Sequence, residues 1–166
     1  MKKFIGFIML LMITSVSAQK NVKEAFLEKW ENSKNYLIEM AELMPEEHYN
    51  FKPTKRQRSF IEQLAHIKQN MDWLSNSYFN GPKLKKSKAK TKAEIITELK
   101  ASFNNVYNVI NSTSPRSFDE KVDFFAGEKT KLQMLNLLQD HVTHHRGQII
   151  VYLNLKDVEP PRFVGW

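Results

Sequence analysis

Three times in this chain a Ser or Thr is followed three residues later by Glu or Gln, and then by apolar residues at three- and four-residue spacing. These are Ser59-Phe-Ile-Glu62, Thr91-Lys-Ala-Glu94 and Thr130-Lys-Leu-Gln133. In such a capping box each of the two side chains accepts a hydrogen bond from a backbone N–H that the first helical turn leaves free. Each box therefore marks a helix start. The first predicts a helix with Phe60, Leu64, Ile67, Met71, Leu74 and Tyr78 on its apolar side, ended by Asn80-Gly81-Pro82. The second predicts Ile95, Leu99, Phe103, Val106 and Ile110 facing inward, with Ser114-Pro115 just past the end. The third leads through Leu135, Leu138, Val142, Ile149, Tyr152 and Leu153 toward Pro160-Pro161.

Residues 21 to 44 add a fourth amphipathic stretch, with Val22, Ala25, Phe26, Trp30, Leu37, Met40, Ala41 and Met44 at helical spacing before Met44-Pro45 stops it. No stretch alternates with period two for long enough to build a sheet, although Val122 to Phe125 suits a short extended piece in the third connection. The expected fold is an all-α, antiparallel four-helix bundle. A length of 166 residues, 42% of them apolar, suits one domain with a core of its own. The chain has no Cys, which removes disulfides, thiolate ligands and Cys nucleophiles together. Its chemistry must use His, carboxylate or hydroxyl groups.

The first residues run from positive to apolar to small: Lys2 and Lys3, then Phe4 to Val16, then Ser17, Ala18 and Gln19. This is the pattern of a secretory signal peptide cut ahead of Gln19. Its apolar run is well short of the roughly 20 residues that cross a bilayer. Residues 1–18 are thus expected to be removed, leaving residues 19–166 as the folded domain of an exported protein, periplasmic or secreted. With no Cys after the cut, a lipid anchor is excluded.

Of five His, four fall at two places: His66 in the second helix, and His141, His144 and His145 in the fourth. At about 100° per residue, His141 and His145 share one inward shoulder beside Leu138 and Val142, while His144 turns toward its edge. Two imidazoles at i and i+4 can converge on one ion. His66 lies on a polar stripe with Asn70, Trp73 and Ser77, beside the apolar face of its own helix, and so suits a third ligand. Three His with an open coordination position would hold one divalent transition metal ion, with Zn, Ni and Fe all suited to imidazole. Val142 stands where a zinc protease helix would carry its Glu, and the paired Glu-x-x-His of di-iron bundles is missing. Glu62, one turn before His66, is assigned to its capping box. Taken singly, each of these His has a plainer reading as a hydrogen-bonded core residue.

Gln63-Leu-Ala-His66-Ile, the connection Met44-Pro-Glu-Glu-His-Tyr-Asn-Phe-Lys-Pro53, and His141-Val-Thr-His-His-Arg-Gly-Gln148 together resemble the DinB-like superfamily. The resemblance runs from about residue 22 to 161. It implies a four-helix bundle with metal bound by His66, His141 and His145. It also implies an activity among those of the family's thiol-dependent transferases and isomerases, although many members have no assigned activity.

A divalent ion on three neutral imidazoles keeps its full charge and can activate water or a thiol, so the expected function is metal-dependent hydrolysis or thiol transfer on a small molecule. His144 and Arg146 flank the ligands and are the catalytic candidates, with solvated or helix-stabilising roles as their plainer alternative. Trp73, Phe124 and Phe125 suit core packing better than a pocket wall. The competing class is a binding module. Lys83, Lys85, Lys86, Lys88, Lys90 and Lys92, with Lys52, Lys55, Arg56 and Arg58, form basic connections that suit acidic polymers but carry no nucleic-acid motif. A third reading is a metal-binding module without turnover. The expected partners are a small-molecule substrate and at most a second copy in a homodimer; nucleic acid is not expected, nor a membrane after signal cleavage.

Overall fold

All three capping boxes form. The hydroxyls of Ser59, Thr91 and Thr130 accept from the backbone N–H of Glu62, Glu94 and Gln133, and those side chains accept in return from the capping residues' own N–H. In this computed structural model the helices they open are α2 (Phe60–Phe79), α3 (Lys92–Ser112) and α4 (Lys131–Asn154), preceded by α1 (Lys2–Leu43). The structure describes residues Lys2 to Phe163, with side chains from Val22 onward. The side chains of the expected export segment, residues 1–18, lie outside the described residues. Asn80 ends α2 in the left-handed conformation at φ 59°, and the Gly81 N–H returns to the Ser75 carbonyl at 2.9 Å. A Cβ on Gly81 would stand 3.0 Å from the Ser75 backbone, so any larger residue in this close turn would have to push that backbone aside by a few tenths of an ångström.

The inward residues read from the sequence fill the core. Leu64, Ile67, Met71 and Leu74 of α2, Leu99, Phe103 and Val106 of α3, and Leu138, Val142 and Ile149 of α4 are fully buried with Trp30 and Leu37 of α1. The Trp30 indole donates to the Phe103 carbonyl at 3.0 Å, which satisfies the one polar atom that this large ring brings into the core. Two positions differ from expectation. Val22 and Ala25 are exposed along the groove beside Leu135 and Asn136, and Ala25 lies about 140° around the helix from Trp30.

The helices form a four-helix bundle in which α1 packs on α3 and α4, and α2 packs on the same two. Touching residues fix their directions. Lys23 reaches the carbonyls of Asn111 and Thr113 at the C-terminal end of α3, while Glu42 at the other end of α1 pairs with Lys100, so α1 and α3 are antiparallel. Gln63 meets His145 and Gln148 while His66 meets His141, so α2 and α4 are antiparallel too. By contrast α1 and α4 run together, with Ser33 against Gln139 and Tyr36 against Arg146. It follows that the neighbours α2 and α3 also run in the same direction.

Parallel neighbours need a connection that travels back along the bundle. A helix the length of α2 is about 30 Å long, and twelve extended residues span up to roughly 40 Å. Residues 80–91 make this crossover and carry the lysine run. Lys86, Lys88 and Lys90 are exposed, and Ser87 and Ala89 between them are half-buried, as extended backbone dictates. Lys68 and Asp72 of α2 clamp the crossover from beneath. The two side chains are 5% and 6% exposed and pair at 2.7 Å; the Lys68 amine also donates to the Lys85 carbonyl at 3.0 Å, and the Ser102 hydroxyl donates to Asp72 at 2.7 Å. At the far end the Lys92 amine donates to the carbonyls of Glu42 and Met44, at the end of α1 where helix carbonyls lack partners.

The third connection holds a two-stranded antiparallel hairpin, β1 (Lys121–Val122) with β2 (Lys129–Thr130). Of the expected extended piece, Val122 to Phe125, only Val122 falls in a strand, and Phe124 and Phe125 lie in the connection between the two strands.

Candidate metal centre

The antiparallel packing of α2 on α4 brings three rings together. The Nε2 atoms of His66 and His141 are 3.2 Å apart, and ring nitrogens of His66, His141 and His145 all lie within 4.8 Å of one another. Among the described residues no other three His or carboxylate side chains come close enough to share an ion. Two ligands bonded at about 2.0–2.1 Å to one tetrahedral ion would stand about 3.3 Å apart, so the His66–His141 separation fits a shared metal. A three-His site capable of coordinating a divalent metal is present.

The protonation of the rings fits the same use. Burial pushes the His141 imidazole down to about 3, with repulsion from His145, His66 and His144 adding to it. Burial likewise takes His145 down to about 4, and lowers His66 together with the nearby Arg58 charge. All three are therefore neutral at physiological pH, the form in which an imidazole has a lone pair for a metal. Nδ1 of His141 is buried without a partner, so nothing but its Nε2 side is engaged. His145, 7% exposed, has Nδ1 held at 2.9 Å by the amide of Gln63. The same Gln63 nitrogen donates to the Gln148 oxygen, and the Gln148 nitrogen lies 2.9 Å from Nε2 of His144.

The remaining candidates are dispersed around this centre. His144 is exposed and stands edge-on to the His145 ring, 4.9 Å between centroids, so it borders the site without entering the cluster. Arg146 lies over the Tyr36 ring of α1 at 5.3 Å. Glu62 is held in its capping box and pairs with Lys52 at 3.0 Å, and takes no place in the cluster. His48 sits in a single 3-10 turn before α2. Trp73, one of the stripe residues of α2, stacks near-parallel on Phe124 at 6.3 Å, and Phe125 follows at 4.2 Å; Phe124 is half-buried against the core as expected, whereas Trp73 at 40% and Phe125 at 86% exposed lie on the surface. Sequence reasoning missed Arg58 and the Gln63–Gln148 pair. The signal for Gln63 was its spacing, one turn before His66 on the same helix.

A family model described as the DinB family matches residues 12–165. The uncharacterized protein YjoA of Bacillus subtilis (strain 168) is 22% identical over 125 residues, which span 72% of this chain and 81% of that protein. The crystal structure of the Bacillus subtilis DinB-like protein YjoA superposes with a TM-score of 0.72 at 20% identity, covering 84% of this chain and 96% of that one. A DinB-like protein from Bacillus cereus ATCC 10987 gives 0.74 at 17% identity with the same coverage. At such identities the structural likeness speaks for the fold.

Proposed function

This chain belongs to the DinB family, and from that premise we propose that it is an exported protein that binds one divalent transition metal ion through His66, His141 and His145 and acts on a small molecule by metal-dependent hydrolysis or thiol transfer. The observation that carries this reading is the set of three neutral imidazoles with two Nε2 atoms 3.2 Å apart and no carboxylate among them. An ion held so supplies Lewis acidity toward a water or a thiol at its open position.

The chain's own residues supply the rest. Arg58, close enough to lower all three His, favours an anionic substrate. Asn70 follows His66 by one turn with its Oδ1 buried and unpartnered, and offers an acceptor to a substrate hydroxyl or amide. Beyond it the Trp73–Phe124 stack gives an apolar body a flat wall. His144, at the rim, is the acid–base candidate, and Arg146 on the Tyr36 ring is the weaker one.

The test is a screen of esters, amides and thiol conjugates with metal-loaded protein against metal-stripped protein. Turnover only in the loaded form, reduced tenfold or more by His144→Ala, supports the reading. Equal behaviour on every class would leave a metal-binding module without turnover. Duplex DNA binding at physiological salt, lost on replacing the Lys83 to Lys92 run, would instead favour a basic docking surface. Export is tested by the N-terminus of the protein in its host, expected at Gln19.

A further inference from the structure

The ring that α4 buries deepest in the cluster is held by an amide pair, and ligation imposes a direction on that pair. Gln63, 2% exposed, reaches from α2 with its amide nitrogen to Nδ1 of His145 at 2.9 Å and donates that nitrogen to the Gln148 oxygen; the Gln148 amide nitrogen lies 2.9 Å from Nε2 of His144. With Nδ1 so engaged, Nε2 is the atom of His145 left for a metal. A neutral imidazole that ligates through Nε2 carries its proton on Nδ1. That proton needs an acceptor, and Gln63 is the group within reach. Ligation therefore demands both amides turned over from this placement: the Gln63 oxygen faces His145, and Gln148 presents its NH2 to that same oxygen. The Gln148 oxygen is thereby turned toward His144 and accepts its Nε2–H. A half-turn of either amide alone would set two oxygens or two NH2 groups against each other.

We propose that Gln63 and Gln148 are positioning residues of the metal centre, acting as one unit: they hold His145 with its Nε2 lone pair toward the metal, and the direction this demands fixes the tautomer of His144 at the rim. The proposal rests on the three-His reading and adds to it that α2 contributes the orienting partner of a ligand on α4. Orienting partners of this kind typically change metal affinity by about 10–100-fold when removed.

The experiment combines zinc titration with two-bond 1H–15N spectra of histidine-labelled protein at pH 8, the rings assigned by His144→Gln and His145→Gln. Wild type is expected to bind zinc with His145 protonated on Nδ1 and His144 on Nε2. Gln63→Met, which fills the space without accepting, should weaken zinc about 10–100-fold, whereas Gln63→Glu, whose carboxylate accepts the Nδ1 proton, should bind within a few-fold of wild type. Gln148→Met should release His144 to a mixture of tautomers with His145 still ligated. Circular dichroism checks that each variant folds, and Gln63→Glu carries the test if Gln63→Met does not. Zinc bound equally by wild type and Gln63→Met, or His145 protonated on Nε2 in the loaded protein, would overturn the proposal and leave the metal site standing. A wild type that binds no zinc would overturn both.

Discussion

His141 and His145 are neutral bases held against their inclination, and this makes the metal-free protein acid-sensitive. Their folded values, about 3 and about 4, lie below the ordinary value of about 6.5 that the unfolded chain has. As pH falls through 6.5 the unfolded chain takes up protons that the folded chain refuses, so stability declines from there down toward pH 3 and levels off as first His145 and then His141 protonate in the folded chain. Thermal unfolding of chelator-treated protein at pH 7.5, 6 and 5 should show this fall, and the double variant His141→Gln/His145→Gln should show less of it; equal slopes would contradict the assignment. At this scale the ligands were legible, because His141 and His145 share a helix face at i and i+4 and the wheel places His66 beside the apolar face of α2. The partners that orient them were not. Gln63 and Gln148 act across a helix interface, and an amide has no spacing rule that announces its partner. Arg58 acts through space from a connection, where periodicity carries no information.

The capping boxes marked the first turns of α2, α3 and α4 because a cap is a local transaction between residues three apart. Helix direction is not local, and the parallel run of α2 and α3 emerged only from contacts between distant residues. A trace of it did stand in the sequence: Lys86, Lys88 and Lys90 alternate with Ser87 and Ala89, the period of an extended segment long enough to return along the bundle. The buried pair that clamps this crossover gives a test. Asp72→Ala leaves the buried Lys68 charge without its counter-charge, with only the Lys85 carbonyl as partner, at a cost of about 3–5 kcal/mol. Thermal unfolding should then shift down by roughly 6–20 °C for a chain of this size. Lys85→Ala should stay within about 0.5 kcal/mol of wild type, because only its backbone carbonyl meets Lys68. Equal effects of the two replacements would mean that the crossover is not held there.

At the scale of the whole molecule, the three His tie α2 to α4, so a bound metal must stabilise the bundle as well as equip it. Zinc at a hundred times its dissociation constant would add about 2.7 kcal/mol, read as a rise of roughly 5–11 °C in the unfolding temperature, and the triple variant His66→Ala/His141→Ala/His145→Ala should show no such rise. Calorimetric titration of zinc into stripped protein produced without a His tag reads that tie between α2 and α4 at its source. Wild type and His48→Ala should each take up one ion per chain, and single Ala replacements of His66, His141 and His145 should each weaken that uptake by at least tenfold. Uptake that is unchanged in all three replacements, or absent from wild type, would contradict a metal centre at the α2–α4 interface.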